Sequence, residues 1–236
     1  MESLYIDNHE FLKVKEDNAN ILFSTSKGEL DFNINYTEGK DNIEKLKAWF
    51  CLKDVGYLSQ IHSGNIFTYD GNLYEGDALI TDKKNVAVGI FTADCVPVLI
   101  FDKAKQVIAA VHSGWKGTLN GISANTVLEL INNYGSIPED LIVYIGPHNR
   151  GCCYEIGKDV EELFLDNKLY RDLEIVNQGN LNLERCIVAQ LEHVGVQQKN
   201  IKCIDICTYC SEDVQLYSYR KDKDSCGRMF SFVYLE

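Results

Sequence analysis

Three short segments of the sequence contain residues that can bind a metal ion, and two of them lie in apolar stretches. Cys95 lies in TADCVPV, and His112 ends the apolar segment AAVH; a second histidine, His62, lies in QIHSG. One thiolate and two imidazoles suit Zn²⁺, and three protein ligands leave a fourth position open, as in catalytic zinc sites. The spacing matches no compact zinc-finger pattern. On spacing alone, a buried thiol with two unrelated histidines is therefore the simpler interpretation.

The turn that follows His112, SGWKGT, has the chemistry of an anion site. Gly114 and Gly117 let backbone N–H groups approach a ligand, Lys116 adds a positive charge, and the next helix would present its positive N-terminal end. These features predict a phosphate or carboxylate beside His112, with Ser113 and Gly114 in the same turn. The spacing is not that of a P-loop, and a simple strand-to-helix turn explains the same residues equally well.

Three further segments contain reactive or charged side chains. Cys203, Cys207 and Cys210 have a C-x₃-C-x₂-C spacing that could hold an iron–sulfur cluster. Their segment has the pattern of a strand, however, so buried cysteines are the ordinary explanation. Two charged segments are compatible with site residues or with solvated surface. They are IGPHNRGCCYEIG (145–157) and SYRKDKDSCGRMFSF (218–232), and the second has the pattern of a hairpin-like turn.

Composition narrows the possible partners and the compartment. The formal net charge of −12 is unfavourable for binding a nucleic-acid polymer, and no apolar run approaches the roughly 20 residues that cross a bilayer. Nine cysteines, an odd number, and an N-terminus without the features of a secretory signal predict a cytoplasmic protein with reduced thiols. We expect a monomer or weak homo-oligomer that binds small molecules, with no nucleic acid and no membrane as partner.

Apolar periodicity predicts an α/β or α+β fold with a mixed sheet, in a single domain over residues 1–236. The predicted strands are 21–26, 86–93, 96–102, 106–112, 141–146, 201–209 and 229–235. The predicted helices are 42–52, 118–135, 157–167 and 182–195. The strands at 96–102 and 106–112 are expected to form a hairpin, with Cys95 and His112 at or near strand ends.

Taken in order, these segments resemble the YfiH-like family, also known as laccase-domain or multicopper polyphenol oxidoreductase proteins. The resemblance covers nearly the whole chain from Ser24 onward, and TADCVPV and HSGWKGT are its most specific parts. It implies a single-domain α/β sandwich of mixed β-sheets. It also implies phosphorolysis of adenosine, inosine, guanosine and methylthioadenosine, together with deamination of adenosine. By position, the family's zinc ligands correspond to His62, Cys95 and His112.

The remaining site residues are assigned as hypotheses within this resemblance. Asp94, which neighbours a proposed ligand, is the candidate acid/base, and Lys116 is the second catalytic candidate. Phosphate would be held by Lys116, Lys27 or Arg228, with Ser113 and Gly114 of the turn. The family usually carries an arginine followed by glycines in its early segment, where this chain has STSKGELDFNI. Lys27, the nearest cation, offers a point charge instead of a bidentate fork.

Three other functions stay open at this stage. A Cys/His hydrolase would use Cys95 as nucleophile and His112 as base, as bacterial toxin deamidases of similar fold do. A copper polyphenol oxidase is less favoured, although copper is a possible metal, because the chain has five histidines and multicopper sites need many. A structural zinc or nucleotide-sensing module would bind without turnover.

Overall fold

The computed structural model describes residues 1–236, apart from the side chain of Asp224, and consists of two six-stranded mixed β-sheets with helices outside them. Sheet I has the strand order β1 (Glu2–Ile6), β2 (His9–Glu16), β3 (Ala19–Ser24), β14 (Met229–Leu235), β7 (Val86–Thr92), β4 (Asp54–Gly56). Sheet II has the order β13 (Ile201–Cys203), β10 (Ile142–Ile145), β8 (Val96–Asp102), β9 (Val107–Ser113), β6 (Ala78–Thr81), β5 (Ile66–Thr68). A short ribbon pairs β11 (Val176–Asn177) with β12 (Asn180–Leu181).

The part of the chain that the structure describes also forms six α-helices. They are α1 (Thr37–Trp49), α2 (Trp115–Leu119), α3 (Ile122–Tyr134), α4 (Lys158–Leu165), α5 (Leu183–His193) and α6 (Tyr219–Asp222). None of the helices that the structure describes is both long and apolar enough to cross a membrane.

The sheets pack face to face, and helices cover their outer faces. One apolar cluster joins Phe23 of sheet I to Leu99 and Phe101 of sheet II. Helix α1 packs on the outer face of sheet I, and α3 and α5 pack on the outer face of sheet II. Strands buried on both faces are expected to be continuously apolar, which is why β7, β8 and β9 are buried at every position. The predicted sandwich of mixed sheets is confirmed.

The connection between β7 and β8 carries the chain from sheet I to sheet II. It contains only three residues, Ala93, Asp94 and Cys95, and Asp94 takes the left-handed φ of 98°. The predicted hairpin of β8 and β9 is confirmed, and its register pairs Pro97 with His112. Cys95 and His112 are therefore brought together at the junction of the two sheets.

Three predicted elements differ in the structure. The helix predicted over 118–135 is divided, because Gly121 adopts a left-handed φ of 73° between α2 and α3. The strand predicted over 201–209 ends at Cys203. Its partner β10 leads into Pro147, which has no N–H to continue the ladder. The charged segment after Ser218, predicted as a hairpin-like turn, begins with the short helix α6.

Candidate active site

The three predicted metal ligands converge, although they come from three separate parts of the fold. His62 lies in the loop between β4 and β5, Cys95 in the crossing from β7 to β8, and His112 in β9. One ligand atom from each lies within 4.8 Å of the others, and Cys95 Sγ is 3.8 Å from His62 Nε2. The two imidazole rings meet edge to face with their centroids 4.8 Å apart.

Asp77, at the start of β6, holds both histidines in place. Its Oδ1 is 2.8 Å from His112 Nδ1 and accepts the His62 backbone N–H at 3.0 Å. Its Oδ2 accepts the backbone N–H and the hydroxyl of Ser63 at 2.6 and 2.7 Å. A carboxylate that binds one ring nitrogen fixes the tautomer and leaves the other nitrogen free for a metal. These contacts also hold His62 at its left-handed φ of 58°.

Asp77 was not identified from the sequence as a site residue. It lies in GDALIT, and a charged residue immediately before a fully buried strand is the signal that could have revealed it. Burial raises the pKa of Asp77, but hydrogen bonds from His112 and Ser63 outweigh burial and lower the pKa to about 2. The carboxylate is therefore charged at neutral pH.

The electrostatics of the cluster favour a bound cation. Burial raises the pKa of the Cys95 thiol, but His112 and His62 outweigh it and the net shift is downward. Burial lowers the pKa of His112, whereas Cys95 and Asp77 raise it, with a net upward shift. Without metal, the arrangement therefore stabilises a thiolate beside an imidazolium, and a metal ion would take the place of the proton.

The donor set fits Zn²⁺. One soft thiolate and two imidazoles are ordinary zinc ligands, a buried carboxylate orients one of the histidines, and three protein ligands leave one position open. All three ligands also line a cavity, so the open position can face a substrate.

Gly114, one of the turn glycines, lies against this cluster. A Cβ at position 114 would lie 3.0 Å from Cys95 Sγ and 3.0 Å from His62 Cδ2, whereas at Gly117 it would meet its neighbours only at 3.4 Å or more. We expect Gly114→Ala to displace the ligands and weaken Zn²⁺ binding by about tenfold or more, as loss of orienting contacts does at metal sites. The measurement is competition with a chromophoric chelator, with Gly117→Ala as the matched control. Equal affinities in the two variants would contradict the contact.

The cavity beside the cluster has a volume of about 660 Å³, within the range that ligand sites occupy. Its lining includes both apolar or aromatic side chains and cationic side chains. The apolar and aromatic residues are Phe32, Ile34, Leu58, Phe91, Ala93, Tyr154 and Tyr219. The cationic residues are Arg220, Lys223 and Arg228.

Backbone contacts hold the two arginines of the cavity lining. Arg228 Nη1 donates to the carbonyls of Cys226 and Gly227, both at 2.9 Å. Arg220 Nη2 donates to the carbonyl of Glu155 at 2.8 Å, and its guanidinium lies 5.5 Å from the ring centroid of Tyr154. Of these cations the sequence suggested only Arg228 as a phosphate ligand. The others lie in a charge run that resembles solvated surface, and no sequence signal separates them from it.

Asp94 has a structural role that its position beside Cys95 did not reveal. Its Oδ1 accepts hydrogen bonds from Thr208 Oγ1 and Ser218 Oγ, both at 2.7 Å, and its Oδ2 accepts the backbone N–H of Arg220 at 2.6 Å. Three donors thus occupy the carboxylate. Asp94 lines the cavity, but this geometry favours positioning of the Arg220 segment over proton transfer.

Three other predicted residues, like Gly114, lie outside the cavity lining. Lys27 is exposed, with its ammonium 4.8 Å from the ring centroid of Tyr5. Ser113 is buried, and its hydroxyl is 2.8 Å from that of Thr118. Lys116 is exposed and lies over Trp115. Because α2 has only five residues before its break, the turn offers no extended helix end to an anion.

Comparisons with known proteins agree with this architecture. The family model described as multi-copper polyphenol oxidoreductase laccase matches residues 32–236. A purine nucleoside phosphorylase of Clostridium acetobutylicum is 52% identical over 230 residues, which are 97% of each chain. One from Aquifex aeolicus is 38% identical and covers 68% of this chain and 72% of its own.

Solved structures show the same fold. The hypothetical protein YfiH of Bacillus licheniformis superposes with a TM-score of 0.88 at 27% identity, covering 96% of both chains. YlmD of Geobacillus stearothermophilus gives a TM-score of 0.83 at 25% identity over 93% of both chains. The match over most of the sequence, the shared fold and the converged ligands lead to one conclusion: this chain belongs to the multi-copper polyphenol oxidoreductase laccase family of YfiH-like proteins.

Proposed function

We propose that this protein is a purine nucleoside phosphorylase that binds zinc at His62, Cys95 and His112. The observation that carries the proposal is a cavity lined both by these ligands and by cationic and aromatic side chains. The relative from Clostridium acetobutylicum, which matches 97% of this chain, and the one from Aquifex aeolicus, which matches 68%, are both named purine nucleoside phosphorylase. These names support the same activity here.

The two kinds of lining residue match the two substrates. Tyr154 and the exposed Tyr219 offer aromatic surface to a flat purine, and aromatic side chains stack on such rings. Arg220 and Arg228 offer guanidinium groups, whose planar donors suit phosphate. Because the chain carries a net charge of −12, free phosphate needs such a local positive site.

In the proposed reaction, a phosphate oxygen forms a bond to C1′ of the ribose. The bond from C1′ to the purine nitrogen breaks, its electron pair leaves with the base, and the base gains a proton. The products are the free purine and ribose 1-phosphate. The arginines would hold phosphate against the ribose, and placing two reactants together removes much of the entropic barrier.

Tyr154 is suited to donate a hydrogen bond in this cavity. Burial and the negative charge of Cys95 raise the pKa of its phenol well above the ordinary value. The phenol is therefore protonated at neutral pH. A zinc ion at the cluster would supply a Lewis acid, which stabilises negative charge without a proton transfer.

We propose zinc and not copper as the metal at this site. Among the residues that the structure describes, the histidine-containing candidate cluster has two histidines and one cysteine, fewer imidazoles than a multicopper oxidase centre needs. Adenosine deamination and cleavage of guanosine and methylthioadenosine are further activities that we propose for the same cavity. Inosine and ammonia formed from adenosine without phosphate would be the evidence for deamination.

We also propose that residues 1–236 act as one cytoplasmic catalytic domain, in a monomer or weak homo-oligomer. All nine cysteines are free, as expected in a reducing compartment.

A Cys/His hydrolase is the second candidate, and one observation favours it. Cys95, His112 and Asp77 form a nucleophile, base and orienting carboxylate, with Asp77 2.8 Å from His112 Nδ1. Stoichiometric zinc would occupy the thiolate and the imidazole and exclude this chemistry. A protein that is active without metal and inactivated by alkylation of Cys95 would support the hydrolase.

Inosine isolates the glycosidic bond as the reacting centre, because it lacks the 6-amino group. We expect hypoxanthine and ribose 1-phosphate in equal amounts, with no hypoxanthine when phosphate is left out. Arg228→Ala should raise the phosphate concentration for half-maximal rate by about ten- to a hundredfold, since a charge-assisted contact contributes roughly 1.5–3 kcal/mol.

Lys116→Ala is the matched control, because it removes a cation outside the cavity lining. Hypoxanthine formed equally fast without phosphate, with free ribose, would identify a hydrolase. If Lys116→Ala shifted the phosphate dependence and Arg228→Ala did not, phosphate would bind at the turn over residues 113–118 and not at Arg220 and Arg228.

A further inference from the structure

Four cysteines from two distant loops meet at a second location in the protein. Cys152 and Cys153 lie after β10, and Cys207 and Cys210 lie after β13; we call them the tetrathiolate cluster. Their four Sγ atoms all lie within 4.8 Å of one another, and Cys152 Sγ is 3.8 Å from Cys210 Sγ. We propose that the tetrathiolate cluster binds a structural Zn²⁺ ion, separate from the ion at His62, Cys95 and His112.

The distances between the sulfurs fit a single ion. A Zn–S bond is about 2.3 Å long, so the sulfurs of a tetrahedral site lie about 3.8 Å apart. A four-iron cluster would hold its cysteines farther apart, because iron and sulfide ions lie between them. Four thiolates around one ion are typical of closed, structural zinc sites.

Backbone contacts join the two loops that carry the cysteines. Cys207 is buried between them, whereas Cys152 and Cys210 are exposed. Backbone hydrogen bonds between His148 and residues 206 and 208 hold the two loops side by side.

The iron–sulfur spacing noted in the sequence is not the one that the fold uses. Cys203 is exposed in β13 and lies outside the tetrathiolate cluster, whereas the adjacent pair Cys152 and Cys153 takes the remaining two positions. Because β13 ends at Cys203, the chain beyond it can turn toward the other loop.

The cluster lies behind the cavity of the proposed enzyme. Tyr154, next to Cys153, lines the cavity, and Thr208, next to Cys207, donates to Asp94. A zinc ion would tie these two loops together, so we expect it to hold this part of the cavity wall. The proposal itself does not depend on the reaction that the cavity performs.

The test counts zinc in a protein that lacks the other site. Cys95→Ser/His112→Ala, purified anaerobically with a phosphine reductant, should retain one zinc per chain. Adding Cys207→Ser or the more exposed Cys210→Ser should lower the zinc content at least about tenfold, because each removes one of four ligands. Adding Cys203→Ser, the matched control, should leave it unchanged. Cobalt in place of zinc should show intense thiolate-to-cobalt absorption that depends on Cys210.

Several results would overturn the proposal. One is iron in place of zinc. Another is a Cys95→Ser/His112→Ala protein that holds no metal and whose four cluster thiols all react with an alkylating agent. A third is a Cys152–Cys210 disulfide that persists under reductant and lowers the mass by two hydrogen atoms. Zinc lost equally from the Cys203→Ser variant would also do so. Loss of phosphorolysis with zinc retained at the tetrathiolate cluster would count only against the proposed reaction.

Discussion

Replacing His112 with alanine is expected to remove the metal at the candidate active site and to abolish phosphorolysis. His112 is buried and bound to Asp77, so its loss removes one of the three converged ligands together with its orienting contact. A metal contributes several kcal/mol of charge stabilisation. At about 1.4 kcal/mol per factor of ten, kcat/KM should fall by about a thousandfold or more.

The measurement combines metal analysis with the inosine assay, and Cys95→Ser should behave in the same way. His193→Ala is the matched control, since His193 is exposed at the end of α5. Because the tetrathiolate cluster is expected to keep its own ion, the zinc content should fall from two per chain to one. Full zinc content together with full activity in both variants would remove these residues from the site.

Replacing Asp94 is the second substitution with a large expected effect. Its carboxylate accepts hydrogen bonds from Thr208, Ser218 and the backbone of Arg220. Asp94→Ala would leave these donors without their acceptor, at about 1–3 kcal/mol for each buried group. We expect a lower free energy of unfolding, and kcat/KM lower by about a hundredfold, because the Arg220 segment would lose its anchor.

The pH profile separates positioning from acid/base catalysis. If Asp94 positions the Arg220 segment, the residual activity of Asp94→Asn should keep the wild-type pH dependence of kcat, and the KM for phosphate should rise. Loss of one limb of the profile with an unchanged KM would instead identify Asp94 as the acid/base. Denaturation in urea measures the free energy of unfolding of the Asp94→Ala and Asp94→Asn variants.

Much of the local structure follows from the sequence. The continuous apolar runs at 86–93, 96–102 and 106–112 predict buried strands, and the structure confirms them within a residue or two. Gly135 marks the end of α3 with its left-handed conformation. Cysteine and histidine in such apolar surroundings need a partner, but only the family resemblance pointed to His62, Cys95 and His112 as ligands of one metal ion.

The residues around the ligands could not be found in this way. Asp77 supports His62 and His112 across the sheet, and Arg220 and Lys223 reach the cavity from a charged segment near the end of the sequence. No short-range pattern links these positions, because their proximity comes from the packing of separate elements. Proximity in sequence can also mislead. Lys116 closely follows His112 along the chain but lies outside the cavity lining.

The sequence by itself determined which strands are buried and which side chains could bind a metal, because periodicity and residue chemistry are local properties. Only the tertiary structure decided which of the nine cysteines meet. The crossing from β7 to β8 brings Cys95 to two histidines, and the end of β13 at Cys203 lets the following loop bring Cys207 to Cys152. These contacts between side chains depend on strand order and on the paths of loops between distant segments, which residue spacing along the chain does not encode.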